Sequence, residues 1–129
     1  MVNWNEDVEA LGLYALDKYS EFKDILELGV RIAWLSSDQV RKKAGKTVYA
    51  ECIKVKPEYE WCCNYDFMIV FYERNVAELT KKQLRILMRH ELKHIGINWD
   101  GDEPKMVIVP HDVEDFSDII RRYGMKWAR

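Results

Sequence analysis

The chain has 129 residues, 48% of them hydrophobic, enough for a packed core without disulfides and short enough for one domain. Its formal charge is −2, with acids and bases interleaved, so no generic nucleic-acid patch is expected. Three cysteines, Cys52, Cys62 and Cys63, make neither a disulfide framework nor a C-x-x-C pair, which argues for buried, reduced thiols in a cytosolic protein.

Asn3, Asn5, Glu6 and Asp7 break up the N-terminus, so no signal peptide is expected. No apolar run approaches a membrane span, and the cytoplasm is the expected location. From Asn5 to Tyr19 the spacing of Val8, Leu11, Ala15 and Tyr19 predicts a helix with acids at its start. Ser20 to Leu28 is ambiguous, with Phe22, Ile25 and Leu26 fit for a short turn on the core. Val30 to Leu35 alternates as a strand. Gln39 to Lys46 reads as an exposed basic connection, and Thr47 to Lys56 as a second strand closed by Pro57. Glu58 to Cys63 reads as a short extended piece before a turn at Asn64. Asp66 to Tyr72 is nearly all apolar, as in a strand buried on both faces.

Thr80 and Gln83 form a capping-box pattern at the start of the next helix, and Gly96 is placed to stop it. Its last turns carry His90-Glu91-Leu92-Lys93-His94, an H-E-x-x-H sequence. Four helical steps leave two imidazoles about 6 Å apart along one face, so both can reach one metal at about 2.0–2.1 Å. Glu91 projects beside that point, where it can take a proton from a metal-bound water. Trp99 to Lys105 reads as a polar loop without calcium-loop spacing, and Met106 to Val109 as a short apolar run. Asp112 caps a final helix with an apolar face of Phe116, Ile119, Ile120 and Tyr123, ended by Gly124.

A catalytic zinc takes three protein ligands and keeps one position open. His111 is the first candidate for the third, since the chain's other two histidines form the pair. Glu114 is its rival, and Asp118 or Asp112 could orient a liganding ring. The metzincin spacing does not fit, because Asn98 to Asp102 holds no histidine. Tyr65, Tyr72 and Tyr123 are candidate donors to a developing oxyanion, and the spacing does not choose among them.

The segments His90–His94 and Pro110–Phe116, with Ile119-Ile120, Tyr123-Gly124 and Trp127, resemble the putative phage metallopeptidase family over most of the chain. Cys62-Cys63-Asn64-Tyr65-Asp66-Phe67 fits the same resemblance. More distantly, the layout is similar to SprT-like proteases and other minimal gluzincins. The phenylalanine after His111 stands one place further on than in the SprT-like pattern, which leaves the alignment at Glu114 open. The resemblance implies a single zincin-like metallopeptidase domain over residues 1–129. Its expected fold is α+β: an N-terminal helix, a mixed or antiparallel sheet of three to four strands, the H-E-x-x-H helix and a C-terminal helix. It further implies one zinc ion on His90, His94 and His111, and the cytoplasm of a bacterial host as the setting of a phage or prophage protein.

Two functions follow as expectations. One is a zinc peptidase with Glu91 as general base, its extended substrate lying along a strand edge from Asp66–Tyr72. The other is a non-catalytic, zinc-stabilised protein that binds and inhibits a host factor.

Overall fold

The computed structural model describes residues 1–59 and 62–110. The architecture is α+β. A short strand β1 (Val2–Trp4) leads into helix α1 (Glu6–Lys18), followed by a 3-10 turn at Ser20–Phe22 and helix α2 (Lys23–Glu27). Strand β2 (Ile32–Ser37) comes next, then a two-stranded ribbon of β3 (Lys42–Lys43) and β4 (Lys46–Thr47), and strand β5 (Ala50–Lys54). Strand β6 (Phe67–Tyr72) runs into helix α3 (Glu73–Val76), helix α4 (Lys81–Leu92) and a hairpin of β7 (Ile95–Asp100) and β8 (Glu103–Ile108). The expected C-terminal helix from Asp112 lies outside the described residues. No helix among the described residues is long and apolar enough to cross a membrane.

The main sheet is mixed, in the order β1-β2-β6-β5. β2 and β6 are parallel in its centre, and each carries an antiparallel outer neighbour. Register puts Ile32 opposite Phe67 and Trp34 opposite Ile69, while Cys52 faces Ile69 from the other side. One face of the sheet therefore presents Ile32, Trp34, Phe67, Ile69 and Phe71, and this face joins Val8, Ala15, Leu16, Leu87, Met88 and Leu92 of α1 and α4 in the core. Ala33, Val70 and Tyr72 on the opposite face are buried too, which is why β6 reads as a continuous apolar run.

Helix α1 starts where its sequence says it should. The Asn5 side chain accepts from Asp7 N at 2.8 Å and Val8 N at 3.1 Å. Gly12 sits mid-helix because the Trp34 ring packs directly on it; a methyl there would lie 2.1 Å from Trp34 Cζ3. At the start of α4 the capping box forms in full, with Gln83 N to Thr80 Oγ1 at 3.2 Å and Thr80 N to Gln83 Oε1 at 2.8 Å.

The end of α4 departs from expectation. The helix stops at Leu92, four residues before Gly96. His94 N bonds Glu91 O at 3.1 Å, a tightened i→i+3 closure, and Ile95 already begins β7. Gly96 is not a helix stop: it sits inside β7 at a close approach, where a methyl would meet Val109 Cγ2 at 2.4 Å and Val107 Cγ2 at 3.0 Å. The polar stretch expected as a loop at Trp99–Lys105 is instead the end of this hairpin: Trp99 and Asp100 belong to β7, Glu103 to Lys105 to β8, and only Gly101 and Asp102 turn, with Gly101 at φ +64°. Glu58 is likewise part of a 3-10 turn, Pro57–Tyr59, and not of an extended piece.

Candidate active site

His90 and Glu91 occupy the last turn of α4, and His94 lies just beyond it. The imidazole centroids of His90 and His94 are 5.3 Å apart with planes at 75°. A tetrahedral ion held at about 2.0–2.1 Å by one nitrogen of each ring puts two centroids about 5 Å apart, so the pair fits a shared ion. His90 and Glu91 are buried, and His94 is half-buried. The Glu91 carboxylate comes within 4.0 Å of His90 Nε2.

The second ring is held from outside the helix. His94 Nδ1 lies 2.7 Å from the carbonyl oxygen of Val109. A carbonyl can only accept, so Nδ1 carries a proton, and in the neutral ring Nε2 is the nitrogen able to ligate. This is how liganding histidines are commonly oriented, with one ring nitrogen donating to an oxygen and the other turned to the metal. Val109 N also donates to His94 O at 2.7 Å, so the base of the β7–β8 hairpin clasps this residue twice. The bare methylene of Gly96 lets Val109 come this close.

The opposite flank of the helix end is tied down by Glu21. Arg89 Nε donates to Glu21 Oε1 at 2.6 Å and Lys93 Nζ to Oε2 at 2.9 Å. The Arg89 guanidinium also lies 4.2 Å from the centre of the Tyr19 ring. Partial burial pushes the Glu21 carboxyl upward, but the hydrogen bonds and charges of Arg89 and Lys93 outweigh it and hold the group below its usual range. Arg89 and Lys93 flank the histidines at an i,i+4 spacing, a sign in the sequence that one acid from elsewhere could bridge them. The Val109 carbonyl has no such sign, because backbone groups leave no trace in residue identity.

Beneath the site lies Cys52 on β5. Burial pushes its thiol up, and the nearby Glu91 carboxylate pushes it further. All three cysteines are free, but they are not all buried as expected: Cys52 and Cys63 are partly buried and Cys62 is exposed.

Two of the tyrosine candidates are not brought to the histidines. The Tyr72 hydroxyl bonds Glu51 Oε2 at 3.1 Å. Strand alternation puts both residues on the sheet face opposite Cys52, the face that α4 does not cover. Burial first and the Glu51 carboxylate second raise the pKa of this phenol. Tyr65 packs its ring 5.8 Å from that of Trp4, on the β1 side of the sheet, whereas Glu91 lies over β5 at the other side. The expected substrate-aligning edge at Asp66–Tyr72 is also absent: β6 is flanked by β2 and β5 and has no open side. Among the described residues β5 is the outer strand on that side.

Among the described residues no group of three His, Cys, Asp or Glu side chains could hold an ion; the histidine pair is an incomplete set. His111, Asp112, Glu114, Asp118 and Tyr123 lie outside the described residues. The last described residue, Pro110, separates His111 from the carbonyl that holds His94.

A family model described as Putative phage metallopeptidase matches residues 2–129. Neither the curated proteins nor the solved structures compared give a match.

Proposed function

From the chain's membership of the putative phage metallopeptidase family, we propose a zinc peptidase whose single domain holds one ion on His90, His94 and His111. The observation that carries this reading is the His94 ring, whose Nδ1 donates to Val109 O at 2.7 Å, which in the neutral ring makes Nε2 the ligating nitrogen. His111 completes the set as a third neutral imidazole, two residues along the chain from that carbonyl. On this reading Glu114 is not a ligand, and Asp112 or Asp118 would orient the His111 ring.

Zinc, when bound, supplies Lewis acidity that polarises a carbonyl and brings the pKa of water down to about 7. Glu91 acts as general base: its carboxylate takes a proton from the attacking water and hands it to the departing amine. The Val109 carbonyl fixes the tautomer of His94, and Glu21 holds Arg89 and Lys93 so that the end of α4 keeps its aim. No strand among the described residues pairs with the outer side of β5, and that side would align an extended substrate across Cys52, next to Glu91. Tyr123 is the remaining tyrosine for the oxyanion, since Tyr65 and Tyr72 are engaged elsewhere. Such a protein acts on protein or peptide substrates in the host cytoplasm.

The test is casein or lysate digestion by the wild type and by Glu91→Gln, with zinc content measured in both. The variant keeps its zinc and loses about 10²–10⁴-fold in turnover. Undiminished cleavage by the variant overturns the mechanism. Zinc without any chelator-sensitive cleavage by the wild type, together with capture of one host factor, would favour the non-catalytic reading.

A further inference from the structure

The ladder between β5 and β6 decides which main-chain groups of β5 face outward. Val55 N donates to Asp66 O at 3.0 Å and Tyr72 N to Tyr49 O at 3.0 Å, so Tyr49 and Val55 both turn their hydrogen-bonding groups toward β6. An antiparallel ladder uses alternate residues in this way. Glu51 and Ile53 therefore face β6 as well. The N–H and C=O groups of Ala50, Cys52 and Lys54 point to the outer side of β5, with which no strand among the described residues pairs.

Cys52 and Lys54 also share a side-chain face. Cys52 lies opposite Ile69 and Lys54 opposite Phe67, and both partners belong to the core face that α1 and α4 cover. Cys52 is the residue near the Glu91 carboxylate. Lys54 follows it on the same face about 7 Å along the strand. It is half-buried there, and its one polar contact among the described residues is the Val55 carbonyl at 3.5 Å, the outer limit of a hydrogen bond. The acids that flank it in the sheet are committed elsewhere. Glu51 takes Arg41, at the root of the exposed β3–β4 ribbon, at 2.7 Å, and Asp66 takes Arg31 at 3.3 Å. A half-buried ammonium gives up part of its hydration, and an arriving carboxylate would replace what it lost.

We propose that Lys54 makes the protein selective for acidic peptide segments, by receiving an Asp or Glu side chain two residues from the substrate residue that lies against Cys52. The inference rests on the peptidase reading above and names the substrate class of that site. An extended peptide added antiparallel to the outer side of β5 would bond the main-chain groups of Cys52 and Lys54. Its residues opposite these two would turn their side chains to the same face. Directly opposite positions bring Cβ atoms to about 4.5–5.5 Å, within reach of an ammonium and a carboxylate.

The experiment is fluorescence polarisation of the full chain with labelled eight-residue peptides. The chain carries Glu91→Gln and zinc is supplied, so that binding is read without cleavage. The three probes share a background of serine and valine and hold a single central Glu, Gln or Lys. The Glu peptide should bind at least about threefold tighter than the Gln peptide, within the range of an opposed charge pair across strands, and the Lys peptide should bind most weakly. Adding Lys54→Arg should keep this order, Lys54→Gln should level the Glu and Gln peptides, and Lys54→Glu should put the Lys peptide first. Lys82→Glu makes the same charge change at an exposed position at the start of α4 and should leave the order as it was. If the charge reversal prevents folding, Lys54→Gln decides alone. Equal binding of the Glu and Gln peptides, no binding of any probe, or an order that survives Lys54→Gln overturns the proposal. Failure of the peptidase reading shows separately, as absence of casein digestion by the wild type.

Discussion

On the proposed metal site, replacing Gly96 with alanine should lower zinc affinity without touching a proposed ligand. The new methyl would lie 2.4 Å from Val109 Cγ2 and 3.0 Å from Val107 Cγ2. Carbon atoms rest at about 3.5–4.0 Å, so Val109 must retreat by about 1 Å. Valine is stiff at χ1, so the movement falls largely on the backbone. The His94 Nδ1 to Val109 O distance, 2.7 Å in the native protein, would then exceed the hydrogen-bond range. Loss of such a ring-orienting partner lowers metal affinity about 10–100-fold, equivalent to about 1.4–2.8 kcal/mol. The assay is competition for zinc against a chromophoric chelator, run on Gly96→Ala, Val109→Ala and the double variant. Val109→Ala removes the clashing methyl, so the double variant should recover most of the affinity that Gly96→Ala loses. If Gly96→Ala binds zinc as tightly as wild type, or if the second substitution rescues nothing, the carbonyl does not orient His94 for a metal.

Three further outcomes are expected. His111→Ala should lose more than about 100-fold in zinc affinity, beyond what loss of an orienting partner costs, while Glu114→Ala stays near wild type; the reverse order in the same titration would transfer the third position to Glu114. Gly12→Ala should gain about 1 kcal/mol in helix propensity but lose more by driving a methyl into Trp34, for a net loss of about 1–2 kcal/mol visible in the urea midpoint. A stabilised variant would show that the ring moves aside freely. Glu21→Gln should remove about 1 kcal/mol at neutral pH, a modest figure because the carboxylate is partly exposed. The Glu21 carboxyl titrates lower in the folded chain than its ordinary 4.5, so its stabilisation is complete above that value and fades as pH falls through the depressed one. The gap between wild type and variant in urea midpoints should therefore close on acidification, and a gap independent of pH would remove Arg89 and Lys93 as its cause.

What could be read from the sequence was what is local. The first helix, the capping box at Thr80 and the buried strand ending at Tyr72 follow from periodicity and caps within a few residues, and each is in place. The two central strands were visible from their apolar pattern, but their parallel pairing joins residues thirty-five positions apart, as Ile32 with Phe67 (67 − 32 = 35). β1 escaped notice because three residues are too few to show alternation. Gly96 was misread because a glycine after a helical pattern usually ends the helix, whereas here it clears space for Val109. Of the site, the histidine pair and its glutamate were legible as a spacing. The hold on His94 was not, since its partner is a main-chain carbonyl fifteen residues away. The tyrosines could be counted but not assigned, because the side of the sheet that each occupies depends on strand register.

The ribbon's freedom from the core has a practical consequence. A cut between Ala44 and Gly45 would sever only exposed backbone, and it would divide the central sheet between two fragments. Residues 1–44 would carry β2, and residues 45–129 would carry β5, β6 and α4. Neither piece could complete the layer alone, because β2 finds its parallel neighbour only on the other. Fused to two interacting proteins, such halves would regain a whole sheet only when brought together, which makes this small chain a natural starting point for a complementation reporter.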